Sequence, residues 1–178
     1  MSRSALLLLA TLLPGIAVAK DINQIDPLCA TQKYHNYVNA SIAWYESLVD
    51  LTIEKDPKLD DVANWFLEGR RNHFMLNDAA FDYYVENDPS KLNFDAPVES
   101  WLNLTQEDIK TLSNSSGVLA DAAKKVFEFR QGQAHQGNYD LRSALADLLS
   151  HPKEIEVPLN RYNSEMTQLA QTHCDKQS

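Results

Sequence analysis

The sequence predicts an all-α fold, a single-domain bundle of about five to six helices, and three observations carry that prediction. Apolar residues recur at spacings of three and four along most of the chain, and strand-type alternation is absent. Only five glycines occur in 178 residues, and one of them falls within the first nineteen. The connections between periodic segments are short, with no repeat, linker or low-complexity tract, as in a helical bundle.

Residues 1–19 read as a secretory signal peptide. Arg3 supplies the basic start, residues 5–13 an apolar run, Pro14-Gly15 a break, and Ala17-Val18-Ala19 a small-residue cleavage site. The apolar run is shorter than the roughly 20 residues that cross a bilayer, and no later segment approaches that length. No cysteine stands at the cleavage site, so no membrane anchor is expected. The expected location is outside the cytoplasm, in a bacterial periplasm or secreted. The mature chain then begins near Lys20 and forms one domain, residues 20–178. That length buries a real core without metals or many disulfides. Sequons stand at Asn39, Asn103 and Asn114, and matter only if the source glycosylates them.

The first helix is expected over residues 29–53. Tyr34, Val38, Ile42, Tyr45, Leu48, Val49 and Ile53 fall in one wide stripe, and Asp56-Pro57 ends it. The second spans 59–86 and is apolar on two sectors: Val62, Phe66, Gly69, His73, Leu76 and Ala80 on one, Leu67, Phe74, Phe81 and Val85 on the other. Two apolar sectors mark a helix central to a bundle. Asn87-Asp88-Pro89 stops it. Residues 88–104 form a connection with a short helical turn at 98–102, where Trp101 is expected to cap the core. Thr105-Gln106-Glu107-Asp108 resembles a capping box with Asp replacing Glu, so a helix starts near Gln106. It breaks or bends at Asn114-Ser115-Ser116-Gly117 before residues 118–130 continue. Residues 139–150 make another helix through Leu141, Leu145, Leu148 and Leu149, and Pro158 fits the first turn of the last one.

The two cysteines, Cys29 and Cys174, bracket nearly the whole mature chain. Cys29 is expected to begin the first helix and Cys174 to end the last, so a disulfide joins the terminal helices. A redox pair would need close spacing such as C-x-x-C, which is absent.

The formal charge is −9, and removal of Arg3 with the signal makes it −10. Such acidity argues against nucleic acid and anionic membrane surfaces, and suits a basic protein partner. Two carboxylate ladders, Glu46/Asp50/Glu54 and Asp78/Asp82/Glu86, have the i, i+4, i+8 spacing of a shared helix face. Both lie opposite the apolar stripes and lack the Glu-x-x-His element of di-metal bundles, so they read as solvated faces, and as partner-facing if they act at all. Asp147 and His151 are an isolated i, i+4 pair. No metal motif, nucleophile motif or phosphate loop occurs, and no metal or cofactor is expected.

The best candidate site is the middle of the second helix: Gly69, Arg70, Arg71, Asn72, His73 and Asn77. A half-buried histidine beside arginine and asparagine can bind an anion or carry a proton. The plain alternative is a core histidine bonded to a carbonyl or tyrosine, with Gly69 serving helix packing. Three functions follow. The leading one is an exported non-enzymatic binding protein, of protein-inhibitor or toxin-immunity type, that binds another protein. The second is a mutase-like helical enzyme whose Arg70, Arg71, Arg130, Arg142 and Arg161 supply an Arg/His-lined pocket. It gains if Arg70, Arg130 and His73 converge on one cavity. The third is a small-ligand binder using the aromatic interior.

Overall fold

The computed structural model describes residues 24–176. The signal peptide expected at 1–19 and the start near Lys20 lie outside the described residues. Six α-helices follow one another: α1 Pro27–Lys55, α2 Asp60–Asn87, α3 Gln106–Ser113, α4 Val118–Gln131, α5 Asn138–Ser150 and α6 Glu156–Gln171.

Local chemistry sets most of the boundaries. The Asp26 carboxylate accepts from the Leu28 and Cys29 N–H groups, with Pro27 in the first turn of α1. Asp56-Pro57 ends that helix as expected. Residues Pro57–Leu59 form a 3₁₀ turn, so α2 begins one residue later than the periodicity suggests. The capping box is present: Thr105 Oγ1 accepts from the Asp108 N–H at 3.1 Å, and Asp108 Oδ2 accepts from the Thr105 N–H at 2.9 Å. The chain breaks rather than bends between α3 and α4, because Gly117 takes φ 94°, a left-handed conformation that side-chain-bearing residues rarely adopt. The turn in the 88–104 connection is 3₁₀, Val98–Ser100.

α1 and α2 pack along each other and form the centre. α6 lies on α1, α4 on α2, α3 on α4, and α5 against both central helices. α2 is buried on two sectors, through Val62, Leu67, Phe74, Leu76, Ala80, Phe81 and Tyr84. At one end of the pair Tyr34 stacks on Phe81, with ring centroids 4.0 Å apart. Trp101 closes this end as expected. It is buried, stacks on Phe81, and donates its indole N–H to the Ala96 carbonyl at 2.8 Å.

The disulfide Cys29–Cys174 is formed, with Cα atoms 5.4 Å apart. One detail departs from expectation. Cys174 does not end the last helix, because α6 stops at Gln171 and Thr172 turns extended. Residues 174–176 then run antiparallel beside residues 24–26: the Asp26 N–H donates to the Cys174 carbonyl at 2.8 Å, and the Lys176 N–H to the Gln24 carbonyl at 2.7 Å. A continued helix would spend those backbone groups internally. The clasp therefore ties the first turn of α1 to the segment after α6.

Candidate functional site

The middle of α2, the end of α4 and the start of α5 enclose an open cavity of about 370 Å³. Trp65, Phe66, Val126 and Phe129 supply much of its apolar lining. Arg70, Asn72, His73, Arg130, Asn138 and Arg142 supply the polar side.

Gly69 makes the cavity's shape possible. A Cβ there would stand 2.5 Å from Cε1 of Phe129, so only glycine admits that ring. Phe129 in turn stacks on Trp65, with centroids 5.2 Å apart. The expectation that Gly69 permits a close approach holds, and what approaches is Phe129 of α4.

Arg70 is half-buried, and its guanidinium lies over the rings of Phe66 and Tyr45, at 5.3 and 5.6 Å. These rings hold it in place, while its buried Nε makes no hydrogen bond. Arg130 is held from two sides. Its Nη1 donates to Gln106 Oε1 at 3.0 Å, and its Nη2 lies 3.5 Å from His73 Nδ1.

His73 is held neutral. Burial, then the positive charges of Arg130 and Arg70, push its pKa down to about 4. A neutral imidazole has one donor and one acceptor. Nδ1 faces a guanidinium, which only donates, so Nδ1 is the acceptor and Nε2 carries the proton. Nε2 lies 3.4 Å from the Asn77 amide. Asn77 is buried, and its Oδ1 has no partner when the amide nitrogen faces the ring. The opposite amide orientation places Oδ1 against Nε2–H and satisfies both groups at once. His73 thus bonds to side chains, and not to the backbone carbonyl or tyrosine of the plain alternative. It bridges Asn77 and Arg130.

The lining contains three arginines and no Asp, Glu, Ser, Thr, Cys, Tyr or Lys. In a chain of formal charge −9, this concentrates positive charge in one concavity.

The structure therefore brings together Gly69, Arg70, His73 and Arg130, and adds Arg142. Asn77 supports the site from behind without lining the cavity. Arg71 points elsewhere: its Nε and Nη2 both donate to Glu46 Oε1, at 3.1 and 2.6 Å. Arg161 pairs with Glu165. Sequence reasoning missed Gln106 and Phe129, which act across α3 and α4, and no local pattern marks either.

The acidic ladders fare differently from one another. Asp50, Glu54 and Glu86 are exposed, as a solvated face requires. Asp78 and Asp82 are not simply wet: His35 Nε2 lies 2.9 Å from Asp82 Oδ1 and 3.6 Å from Asp78 Oδ1, linking α1 to α2. Burial pushes the Asp78 carboxyl upward in pKa, although His35 draws it down. The wheel of α2 alone does not show that α1 leans over these two residues. Among the described residues, no cluster of three or more His, Cys, Asp or Glu could hold a metal ion, and no helix is long and apolar enough to cross a membrane.

A larger groove, about 600 Å³, runs between the 94–101 connection and α6. Its charged side chains, Lys33 and Glu99, are of opposite sign, and Lys33 Nζ already lies over Trp101 at 4.9 Å and bonds the Thr172 carbonyl. It lacks the convergent chemistry of the arginine pocket.

No protein-family model matches this chain, and no curated protein or solved structure matches it either, so the chemistry of the pocket itself has to carry the functional reading.

Proposed function

We propose that this is an exported, non-enzymatic binding protein and that the Arg70–His73–Arg130–Arg142 pocket is its binding element for an anionic group. The observation that carries the reading is the convergence of three arginines from α2, α4 and α5 on one cavity with no carboxylate in its lining. Guanidiniums recognise carboxylate and phosphate in bidentate fashion, and the aromatic contacts of Arg70 reduce the cost of ordering it. Proton-transfer chemistry in this pocket would run through His73, the one lining side chain besides the arginines that carries a titratable group. A base with a pKa of about 4 is weak at pH 7. That argues against general-base turnover at His73, while the convergence of Arg70, Arg130 and His73 on one cavity supports a mutase-like rearrangement that needs no base as the enzymatic alternative. Export is supported by the signal-type sequence of residues 1–19 and by the disulfide, which persists in oxidising compartments.

Calorimetric titration of inorganic phosphate at pH 7 and low ionic strength tests the reading. Saturable binding is expected, weakening as salt is added and lost in the Arg130→Gln/Arg142→Gln variant. Absence of saturable binding, or equal binding by the variant, refutes it.

A second reading, an inhibitor or immunity-type protein that binds a basic protein, is favoured by one specific feature. Met75 is 59% exposed on α2, and Asp50, Glu54 and Glu86 remain exposed on the acidic faces. An exposed apolar side chain on a surface that also exposes carboxylates suits an anchored, electrostatically steered contact. Recovery of a basic partner from native extract, lost in Met75→Glu, is the expected result. Equal recovery with that variant counts against it.

A further inference from the structure

The pocket holds more information than the sign of its charge. Its apolar residues are aromatic to an unusual degree: Trp65, Phe66 and Phe129 lie in one lining. Flat rings recruit flat rings, with centroids at about 4.5–7 Å, and the stacked pair of Trp65 and Phe129 is a preformed element of that kind. The volume of about 370 Å³ is near the lower end of the range of roughly 300–1,000 Å³ that small-molecule sites occupy. It suits one ring with its substituents and is small for a nucleotide or a peptide.

The charge is equally specific. Three arginines line the cavity, and His73 adds no charge while neutral. A monoanion leaves two of these charges uncompensated in a partly desolvated space, whereas a dianion leaves one, at the exposed Arg142 or Arg130.

From these observations we propose that the ligand is a small planar aromatic dianion: a single ring bearing two negative charges, as an aryl phosphate or an aryl dicarboxylate does. The ring lies against the Trp65/Phe129 wall, and the anionic groups meet Arg70, Arg130 and Arg142 of the lining. His73 acts as a positioning residue, because its Nδ1 holds the Arg130 fork. This inference rests on the anion-binding reading above and narrows it.

The test is a calorimetric panel on the intact, disulfide-bonded protein at pH 7. The probes are phenyl phosphate, phthalate, inorganic phosphate and cyclohexane-1,2-dicarboxylate. The aryl dianions are expected to bind at least tenfold more tightly than inorganic phosphate and the saturated dicarboxylate. Trp65→Leu is expected to abolish the preference for phenyl phosphate over inorganic phosphate. Arg130→Gln is expected to weaken all of them. If inorganic phosphate and the saturated acid bind as tightly as the aryl probes, the aromatic inference is overturned and the anion-binding reading stands. If no probe binds, both fall. The panel on the unmodified protein decides the matter even if Trp65→Leu does not fold.

Discussion

Replacing Gly69 with alanine probes the contact that shapes the pocket, and the two opposing terms can be worked from the structure. In isolation the change favours the folded state, because alanine in a helix interior is better than glycine by about 1 kcal/mol. Here the new methyl would sit 2.5 Å from Cε1 and 2.7 Å from Cζ of Phe129, closer than carbon atoms pack. Phe129 cannot simply swing away, since it is stacked on Trp65. Overpacking of this kind costs about 1–3 kcal/mol. The net expectation is a loss of about 0–2 kcal/mol in Gly69→Ala. The sharper quantity comes from a double-mutant cycle with Phe129→Ala. Once the ring is gone, the clash is removed, and Gly69→Ala should then stabilise by about 1 kcal/mol. The coupling between the two positions is therefore about 1–3 kcal/mol, with a change of sign in the effect at position 69 where the clash outweighs propensity. Urea unfolding at equilibrium, read by far-ultraviolet circular dichroism, measures all four proteins. A coupling within about 0.3 kcal/mol of zero, the additivity expected of independent sites, would show that Phe129 does not stand over Gly69.

Two further predictions concern the clasp and the histidine. Reduction of Cys29–Cys174 opens a cross-link spanning 145 residues, for which loop entropy sets an upper figure of about 5 kcal/mol. The midpoint of thermal unfolding should fall by several degrees while phosphate binding at 25 °C persists. An unchanged midpoint would sink the idea that the clasp contributes to stability. His73 has its folded pKa lowered from 6.5 to about 4, so below pH 6.5 the unfolded chain binds a proton that the native protein refuses. Its contribution is fully present above pH 6.5 and is lost as the pH falls towards 4, by about 1–3 kcal/mol after allowance for partial solvent screening. His73→Gln should flatten the slope of stability against pH in that window, and an unaltered slope would contradict the assignment of a neutral His73.

Legibility from sequence followed the range of the interaction concerned. The end of α1 at Asp56-Pro57 and the Thr105–Asp108 capping box are settled within three or four residues, and both are readable; the Asp26-Pro27 cap is as local, but the apolar stripe begins later, so α1 starts two residues before the expected 29. The central place of α2 is readable too, because a helix apolar on two sectors has to be covered on two sides. The Asn114–Gly117 break was half readable: the breaker residues are visible, but bend and break differ only in the left-handed φ that Gly117 adopts. Asp78 and Asp82 were misjudged as purely solvated because wetness was inferred from the stripe of α2 alone, whereas His35 reaches them from α1.

The site shows the same division. His73, Gly69 and Arg70 could be singled out from one helix, since a histidine in an apolar stripe beside a glycine is a local anomaly. Arg130 lies 57 residues away from His73 and is exposed, and by itself is indistinguishable from a surface arginine. Arg71 and Arg161 were equally eligible by composition, yet each is tied to a glutamate outside the pocket.

Composition, periodicity and capping residues thus determined by themselves that this chain is helical, where most helices begin and end, and that its two cysteines can close it end to end. Only the tertiary structure decided which arginines act together. Helix formation is set by neighbours a turn away in the chain, but electrostatic convergence depends on which helix faces cross. That crossing is decided by packing contacts such as Phe129 against Gly69, which no local pattern encodes.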